Sequence, residues 1–310
     1  MQIFTTLDWS DAQIARLEAQ VGDARLLRAA SFTGEPDKKG AFDACKIVFG
    51  NPRVAWVTDS PTLRWLQLES VGFSEYAGLA TAVQAGRCKV TNLAGFFDDP
   101  VAQSLLTGIL ALYRGIDLLV QARGLREWKG DALRPHLRTL NDRQVVLFGF
   151  GAINAKLAQL LEPFGCEIVA FRREWSADAL DSALAVADIV VSAVPDTLAT
   201  CGVFGRSRLR RLKQTAIFAN AGRGSVVDDD ALDDLLRRGQ LGGAVIDVTR
   251  DEPLPAGHPF WTSPNLILSQ HTGGGTSDEI DRKIVFFLKN LDRYQRGAEL
   301  AAVIDFERGY

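Results

Sequence analysis

The sequence predicts an α/β protein built on an open parallel sheet, and three observations predict it. Six short apolar runs (144–148, 167–171, 188–194, 215–220, 243–246 and 266–270) follow one another at nearly even spacing. They are unbroken rather than alternating, and helix-like stretches separate them, as expected of parallel strands buried on both faces. Each run ends at a residue with chemical potential: Gly149, Arg172, Pro195, the Ala221-Gly222-Arg223-Gly224 turn, Asp247 and His271. In such a sheet ligands bind outside the carboxyl ends of the strands. The glycines, arginines and histidine therefore fall where this fold binds and reacts.

Length and composition bound the rest. At 310 residues the chain has room for two ordinary domains. A net charge of −3 gives no electrostatic case for nucleic acid or an anionic membrane as partner. The basic run Arg206, Arg208, Arg210, Arg211, Lys213 lies between two predicted strands and reads as a solvated face. The N-terminal residues lack the basic start and apolar core of a signal peptide. The longest apolar stretch, 105–120, is interrupted by Arg114 and Asp117, so no membrane span is expected. The four cysteines (Cys45, Cys88, Cys166, Cys201) are far apart and accompany no histidine cluster. Buried free thiols in a reducing cytoplasm, with no metal site, are the expectation.

Residues 1–97 carry shorter apolar runs at 2–6, 46–49, 63–68 and 88–91, with a helix over 10–20 for which Asp8 and Ser10 are both candidate N-caps. This reads as a smaller α/β unit. Asp98-Asp99-Pro100 then opens a long helical segment to about residue 122, with acids at its positive end and proline near its first turn. It is apolar on more than one face, so it must be buried in the core or against a second subunit. A last helix over 277–294 could return to the first unit and make it discontinuous. The expected boundaries are 1–97 with 276–310 for one domain and 98–275 for the other.

The motifs point to a dinucleotide. Gly149-x-Gly151 follows a strand and opens a helix over 155–161, which suits a tight turn and a pyrophosphate at a helix N-terminus, with Ala152 and Ile153 beside it as cofactor-binding candidates. Asn154 stands where the third glycine of the G-x-G-x-x-G pattern belongs, and is expected to loosen helix–strand packing. Arg172 lies 21 residues beyond Gly151, where an NAD-binding unit carries an acid for the ribose hydroxyl. Arg172 and Arg173 suit a 2′-phosphate instead, so NADP is favoured with NAD as the alternative. Arg223, a permanently charged fork between glycines, can hold a carboxylate and polarise a carbonyl. His271, supported by a carboxylate that fixes its tautomer, can act as general acid. Glu252 and Asp251 are both available for that support.

At these residues the chain resembles the D-isomer-specific 2-hydroxyacid dehydrogenase family along nearly its full length. The matching stretches are 145–151, 187–195, 220–228, 251–255 and 270–274. The resemblance implies a Rossmann-type doubly wound domain, a smaller flavodoxin-like α/β substrate domain and a cleft between them. It implies an Arg223, Glu252, His271 catalytic set, with Glu252 preferred to Asp251 by its offset from Asp247. Asp247 would contact the nicotinamide carboxamide, and Val194, Pro195, Ala221, Gly273 and Gly274 would border the cofactor. The segment 63–72 resembles the substrate loop, so the backbone around Ser70, Val71 and Gly72 would hold the substrate carboxylate together with Arg223. The helix over about 99–122 resembles the arm through which relatives form homodimers. Gln103 departs from the glutamate of many relatives.

The expected activity is NAD(P)H-dependent reduction of a small 2-oxo acid, as in the glyoxylate/hydroxypyruvate reductase-like branch, and the reverse oxidation, in the cytoplasm. A larger branched or aromatic 2-oxo acid is the alternative substrate, with pocket size set by side chains such as Leu68, Phe73 and Trp261. A dinucleotide-sensing co-repressor-like protein is the rival from another class, and the intact Arg–Glu–His set argues against it. Formate dehydrogenase-like relatives carry glutamine at the position of Glu252.

Overall fold

A computed structural model describes residues 1–306. The chain forms two compact units, Met1–Phe96 with the chain from Thr276 onward, and Phe97–Gly275.

In the first unit five parallel strands, β1 (Gln2–Thr5), β2 (Arg25–Arg28), β3 (Ile47–Phe49), β4 (Trp65–Gln67) and β5 (Lys89–Thr91), take the order 2-1-3-4-5. Helices α1 (Asp11–Glu18), α2 (Glu35–Asp43), α3 (Val54–Thr58) and α4 (Ala80–Gln84) connect them. Of the two candidate caps it is Ser10 that starts α1, in a capping box with Gln13. Strand β2 is not among the expected apolar runs, because its Arg-Leu-Leu-Arg pattern is short and flanked by charge. Helix α11 (Glu279–Gln295) belongs to this unit. Its Phe287 stacks on Phe49 at 4.3 Å and on Trp65 at 5.4 Å between ring centroids. Its Asn290, also buried, donates to Gln67 Oε1 at 3.0 Å.

The second unit begins at Phe97. The long apolar segment is not one helix: α5 (Asp98–Tyr113) and α6 (Ile116–Leu125) meet at a 65° bend. Gly115 takes the left-handed conformation (φ 61°) at the break, where its N–H closes on the Leu112 carbonyl. The break separates two kinds of surface. Helix α5 buries Val101, Ala102, Leu105, Ile109 and Tyr113. Helix α6 and the turn after it leave Val120 56%, Leu125 69% and Trp128 95% exposed. Among the described residues no single helix is long and apolar enough to cross a membrane.

Strands β6 (Gln144–Phe148), β7 (Glu167–Phe171), β8 (Ile189–Ser192), β9 (Ile217–Asn220), β10 (Gly243–Ile246) and β11 (Leu266–Leu268) form one parallel sheet in the order 11-10-9-8-6-7. It is doubly wound about the junction of β6 and β8, where the strand order reverses. Helices α5 and α7 (Ala152–Leu161) back one core, which contains Leu105, Ile109, Leu147, Leu157 and Val191. Helices α8 (Ala177–Val186) and α10 (Asp229–Arg237) back the other, around Phe148, Leu184, Phe204, Phe218 and Leu235. A short helix, α9 (Arg206–Leu209), precedes β9. Strands β6, β8, β9 and β10 match the expectation of burial on both faces, but β7 does not. As an edge strand it exposes Val169 and its neighbours, because no strand lies beyond it.

The basic run around α9 is a network rather than a bare face. Arg206 pairs with Asp234, Arg208 and Arg211 share Asp181, and Lys213 pairs with Asp188. All four cysteines are free, but Cys201 is exposed, against the expectation of buried thiols throughout.

Candidate active site

The strand register lays out the site. Phe171, Phe148, Ser192, Asn220, Ile246 and Leu268 form one row across the sheet. The next residues along the chain are Arg172, Gly149, Ala193, Ala221, Asp247 and Ser269. Arg172, Gly149, Ala221 and Asp247 therefore emerge along a single edge, while Pro195 and His271 follow two residues beyond it, because β8 and β11 end two residues earlier than the runs 188–194 and 266–270.

At the strand-order reversal, Gly149 has φ 85°, and a Cβ there would lie 2.9 Å from the Ala193 carbonyl oxygen, so only glycine fits. Its N–H and that of Phe150 both donate to the Phe171 carbonyl, which hangs the turn from the end of β7. Gly151 then caps α7 without any side chain to satisfy the first-turn N–H groups. A Cβ at Gly151 would meet nothing within 4 Å, so open space faces the N-terminus formed with Ala152 and Ile153. Unsatisfied donors, a positive helix end and open space fit a pyrophosphate.

Asn154 reverses the expectation attached to it. Its side chain is fully buried, and Nδ2 donates to the carbonyls of Phe148 at 3.2 Å and Gly149 at 3.0 Å. The residue in the glycine's place thus fastens the helix to the end of β6. Asn154→Ala is expected to lower unfolding free energy in urea by about 1–2 kcal/mol. If Asn154 loosened the packing, Asn154→Gly would raise stability instead.

Arg172 is exposed and lies beside the glycine turn. Its guanidinium stacks 4.7 Å from the Phe150 ring centroid, and Nη1 reaches the Phe150 carbonyl at 3.4 Å. Arg173 is exposed next to it. Val194 and Ala221 are buried at the ends of their strands, and the Pro195 carbonyl accepts from Thr200 Oγ1 at 2.6 Å.

Arg223 is half-buried, and its Nη1 folds back onto the Gly222 carbonyl at 2.7 Å. A Cβ on the next residue, Gly224, would lie 2.0 Å from the Thr249 carbonyl carbon. That glycine lets the arginine's turn press against the loop that carries Glu252. In that loop the Thr249 N–H donates to Glu252 Oε1 at 3.0 Å, leaving Oε2 to meet His271 Nδ1 at 2.6 Å. Glu252, not Asp251, is therefore the histidine's partner; Asp251 takes part through its carbonyl, which accepts from Thr249 Oγ1. With Nδ1 committed to a carboxylate, the other ring nitrogen of His271 is the one left for external chemistry.

Sequence reasoning missed what holds His271. The residue has φ 57°, and Gln270 before it φ 53°, a conformation unfavourable for side-chain-bearing residues. The His271 N–H donates to the Asp247 carbonyl at 2.6 Å. Asp247 Oδ1 accepts from Ser269 Oγ at 2.6 Å and from the Gly273 N–H at 3.0 Å. Ser104 Oγ in turn donates to the Gly273 carbonyl, next to Gly274. Ser269 lies inside the apolar run 266–270, but the strand ends at Leu268, the register partner of Ile246, so Asp247 and Ser269 come next side by side.

The same loop is tied to α10 through His258, whose Nε2 lies 3.6 Å from Asp229 Oδ2. Burial pushes the Asp229 carboxyl up to about 6, against the pull of His258 and Arg250. The folded state therefore holds a proton there that the unfolded chain gives up at lower pH, so this group costs stability as pH rises from about 4 to 6. Asp229→Asn is expected to stabilise the protein by about 1 kcal/mol at pH 7.5, with the gain vanishing near pH 4 in paired urea melts.

Beside the Glu252–His271 pair lies a cavity of about 420 Å³ lined by Pro253, Leu254, Trp261, Leu268 and Gln270. Of the three side chains expected to set substrate size, Trp261 lines this cavity. Leu68 is fully buried in the core of the first unit and Phe73 packs edge-on against Phe306. Among the described residues no group of three or more His, Cys, Asp or Glu side chains could hold a metal ion.

In the first unit, Ser70, Val71 and Gly72 form a turn after β4. Their carbonyls accept from the Leu93 N–H, Asn92 Nδ2 and Ser70 Oγ, respectively.

An uncapped helix after a glycine turn at the order reversal of a doubly wound sheet defines a dinucleotide-binding α/β protein, and the carboxylate–imidazole pair on the same edge adds acid–base chemistry. Residues 106–273 match the model of the D-isomer specific 2-hydroxyacid dehydrogenase NAD-binding domain, and the chain belongs to that family. It is 30% identical over 262 residues to a glyoxylate reductase of Thermofilum pendens, covering 80% of this chain and 76% of that one. It is similar to the crystal structure of a D-isomer specific 2-hydroxyacid dehydrogenase family protein from Aeromonas salmonicida subsp. salmonicida. There the TM-score is 0.80 at 27% identity, covering 98% of this chain and 99% of that one. The family's enzyme from Xanthobacter autotrophicus, crystallised with NADPH and MES, gives a TM-score of 0.76 at 25% identity, covering 100% and 99%. The chain is thus an oxidoreductase of this family that uses a nicotinamide dinucleotide.

Proposed function

We propose that the protein reduces a 2-oxo acid to the D-2-hydroxy acid with NADPH in preference to NADH, and catalyses the reverse oxidation. The observation that carries this reading is the 2.6 Å contact between Glu252 Oε2 and His271 Nδ1. It directs a single imidazole N–H outward, as a proton donor to a developing alkoxide requires. The bound dinucleotide supplies the hydride. The protein's part is to orient and protonate. Arg223 clamps the carboxylate and polarises the keto oxygen, the N–H groups of Val71 and Gly72 hold the carboxylate, and His271 delivers the proton while Glu252 stabilises the imidazolium. Gly149, Gly151, Ala152 and Ile153 hold the pyrophosphate. Val194, Pro195, Ala221, Gly273 and Gly274 border the cofactor, and the carboxylate of Asp247 receives the carboxamide. Arg172, held beside the glycine turn by Phe150, supports NADPH, with Arg173 next to it.

A small acid such as glyoxylate or hydroxypyruvate is the first reading of the substrate, in line with the name of the Thermofilum relative. A larger branched or aromatic 2-oxo acid is the second, and the apolar cavity around Leu254, Trp261 and Leu268 favours it. A panel of 2-oxo acids assayed with NADPH and NADH decides between them. Turnover of none of the panel with either cofactor would remove the reading altogether. The exposed apolar side chains of α6, with Leu125 and Trp128, support a homodimer, and we place the protein in the cytoplasm.

A further inference from the structure

We infer that Asn51 and Asn92 are positioning residues for the substrate carboxylate, acting through the backbone of Ser70, Val71 and Gly72; this rests on the 2-oxo acid reading above. A peptide turn offers an anion both attractive N–H groups and repulsive carbonyl oxygens, so it binds only if the carbonyls are turned away. Here all three are engaged. The Ser70 carbonyl accepts from the Leu93 N–H at 3.0 Å, that of Val71 from Asn92 Nδ2 at 2.8 Å, and that of Gly72 from Ser70 Oγ at 2.8 Å. Among the described residues the N–H groups of Val71 and Gly72 meet no acceptor. Both residues are exposed.

Two asparagines set this polarity. Asn51 grips the turn from β3's side: Oδ1 accepts the Glu69 N–H at 3.2 Å, while Nδ2 donates to Ser70 Oγ at 3.3 Å. That second bond occupies an acceptor site of the hydroxyl and leaves its proton for the Gly72 carbonyl. Asn92 is itself fixed. It is 3% exposed, its Oδ1 accepts the Ala94 N–H at 2.9 Å, and its own N–H donates to the Ala302 carbonyl at 3.1 Å. Only its Nδ2 is left to hold Val71. The turn is thus pinned from both sides with its donors outward.

The test compares Asn51→Ala and Asn92→Asp with wild type. Asn92→Asp keeps the acceptor for Ala94 but faces the Val71 carbonyl with an oxygen. Expected is a roughly 10-fold rise in KM for the 2-oxo acid and in the Kd of oxamate for both variants. Their kcat should stay within about threefold and NADPH affinity unchanged. The inference falls if oxamate Kd and KM are unchanged in Asn51→Ala and Asn92→Asp while the wild type is active. It falls equally if NADPH affinity and thermal stability drop in parallel with KM, the mark of a merely structural role. A wild type that turns over no 2-oxo acid and binds no oxamate would instead overturn the reading beneath it.

Discussion

His271→Ala is expected to lower kcat for 2-oxo acid reduction by about 10³-fold or more, with NADPH affinity unchanged in a fluorescence titration. The magnitude follows from losing a positioned general acid, typically 10²–10⁴-fold, together with a donor to the developing negative charge. Glu252→Gln should cost less, about 10–100-fold, because an amide oxygen can still accept from Nδ1 but carries no charge to stabilise the imidazolium. The graded pair matters more than either value. Glu252 meets His271 at 2.6 Å while its other oxygen is fixed by the Thr249 N–H, so its orientation does not depend on the histidine. Asp251→Asn, one residue away and exposed, should leave kcat within about twofold. A large loss in Asp251→Asn with a small one in Glu252→Gln would reverse the assignment. Near-wild-type turnover in His271→Ala would end the acid–base reading.

Much of this arrangement was legible because parallel strands buried on both faces are written as unbroken apolar runs. Their ends could be located to within a residue or two, and the register then made a linear pattern into an edge. Gly149, Arg172, Asp247 and His271 were found that way. What stayed hidden depends on packing that no local pattern encodes. The break at Gly115 is one case. A glycine inside a helical pattern is tolerated as often as it terminates, and only the separation of buried α5 from exposed α6 distinguishes the two. Asn154 is another, where the side chain was judged by the glycine it displaces rather than by the carbonyls within its reach. Residue chemistry alone left Glu252 and Asp251 open, since adjacent carboxylates on an irregular loop have no periodicity to orient them; the family resemblance preferred Glu252, and its 2.6 Å contact with His271 agrees. Asn51 and Asn92 act on backbone atoms, which leave no mark in a sequence beyond a polar residue near a turn.

Arg172→Asp is expected to reverse cofactor preference, lowering kcat/KM for NADPH by about 10²-fold while NADH improves or holds. An arginine that pairs with a 2′-phosphate makes charge-assisted bonds, and each is stronger than one to a neutral hydroxyl. Exchange for a carboxylate removes that attraction, adds repulsion against the phosphate and offers an acceptor to a ribose hydroxyl. Geometry sharpens the expectation. The guanidinium stacks on Phe150, inside the Gly149–Gly151 turn. The charge that would read the ribose is thus tied to the segment that would hold the pyrophosphate. Phe150→Ala should therefore weaken NADPH more than NADH, by about 3–10-fold, since it releases the arginine without removing it. Arg173→Ala separates the neighbours: a small effect leaves selectivity with Arg172, whereas an equal loss spreads it over both. Preference unchanged in Arg172→Asp would remove this arginine from cofactor selection and leave the NADPH proposal without its support.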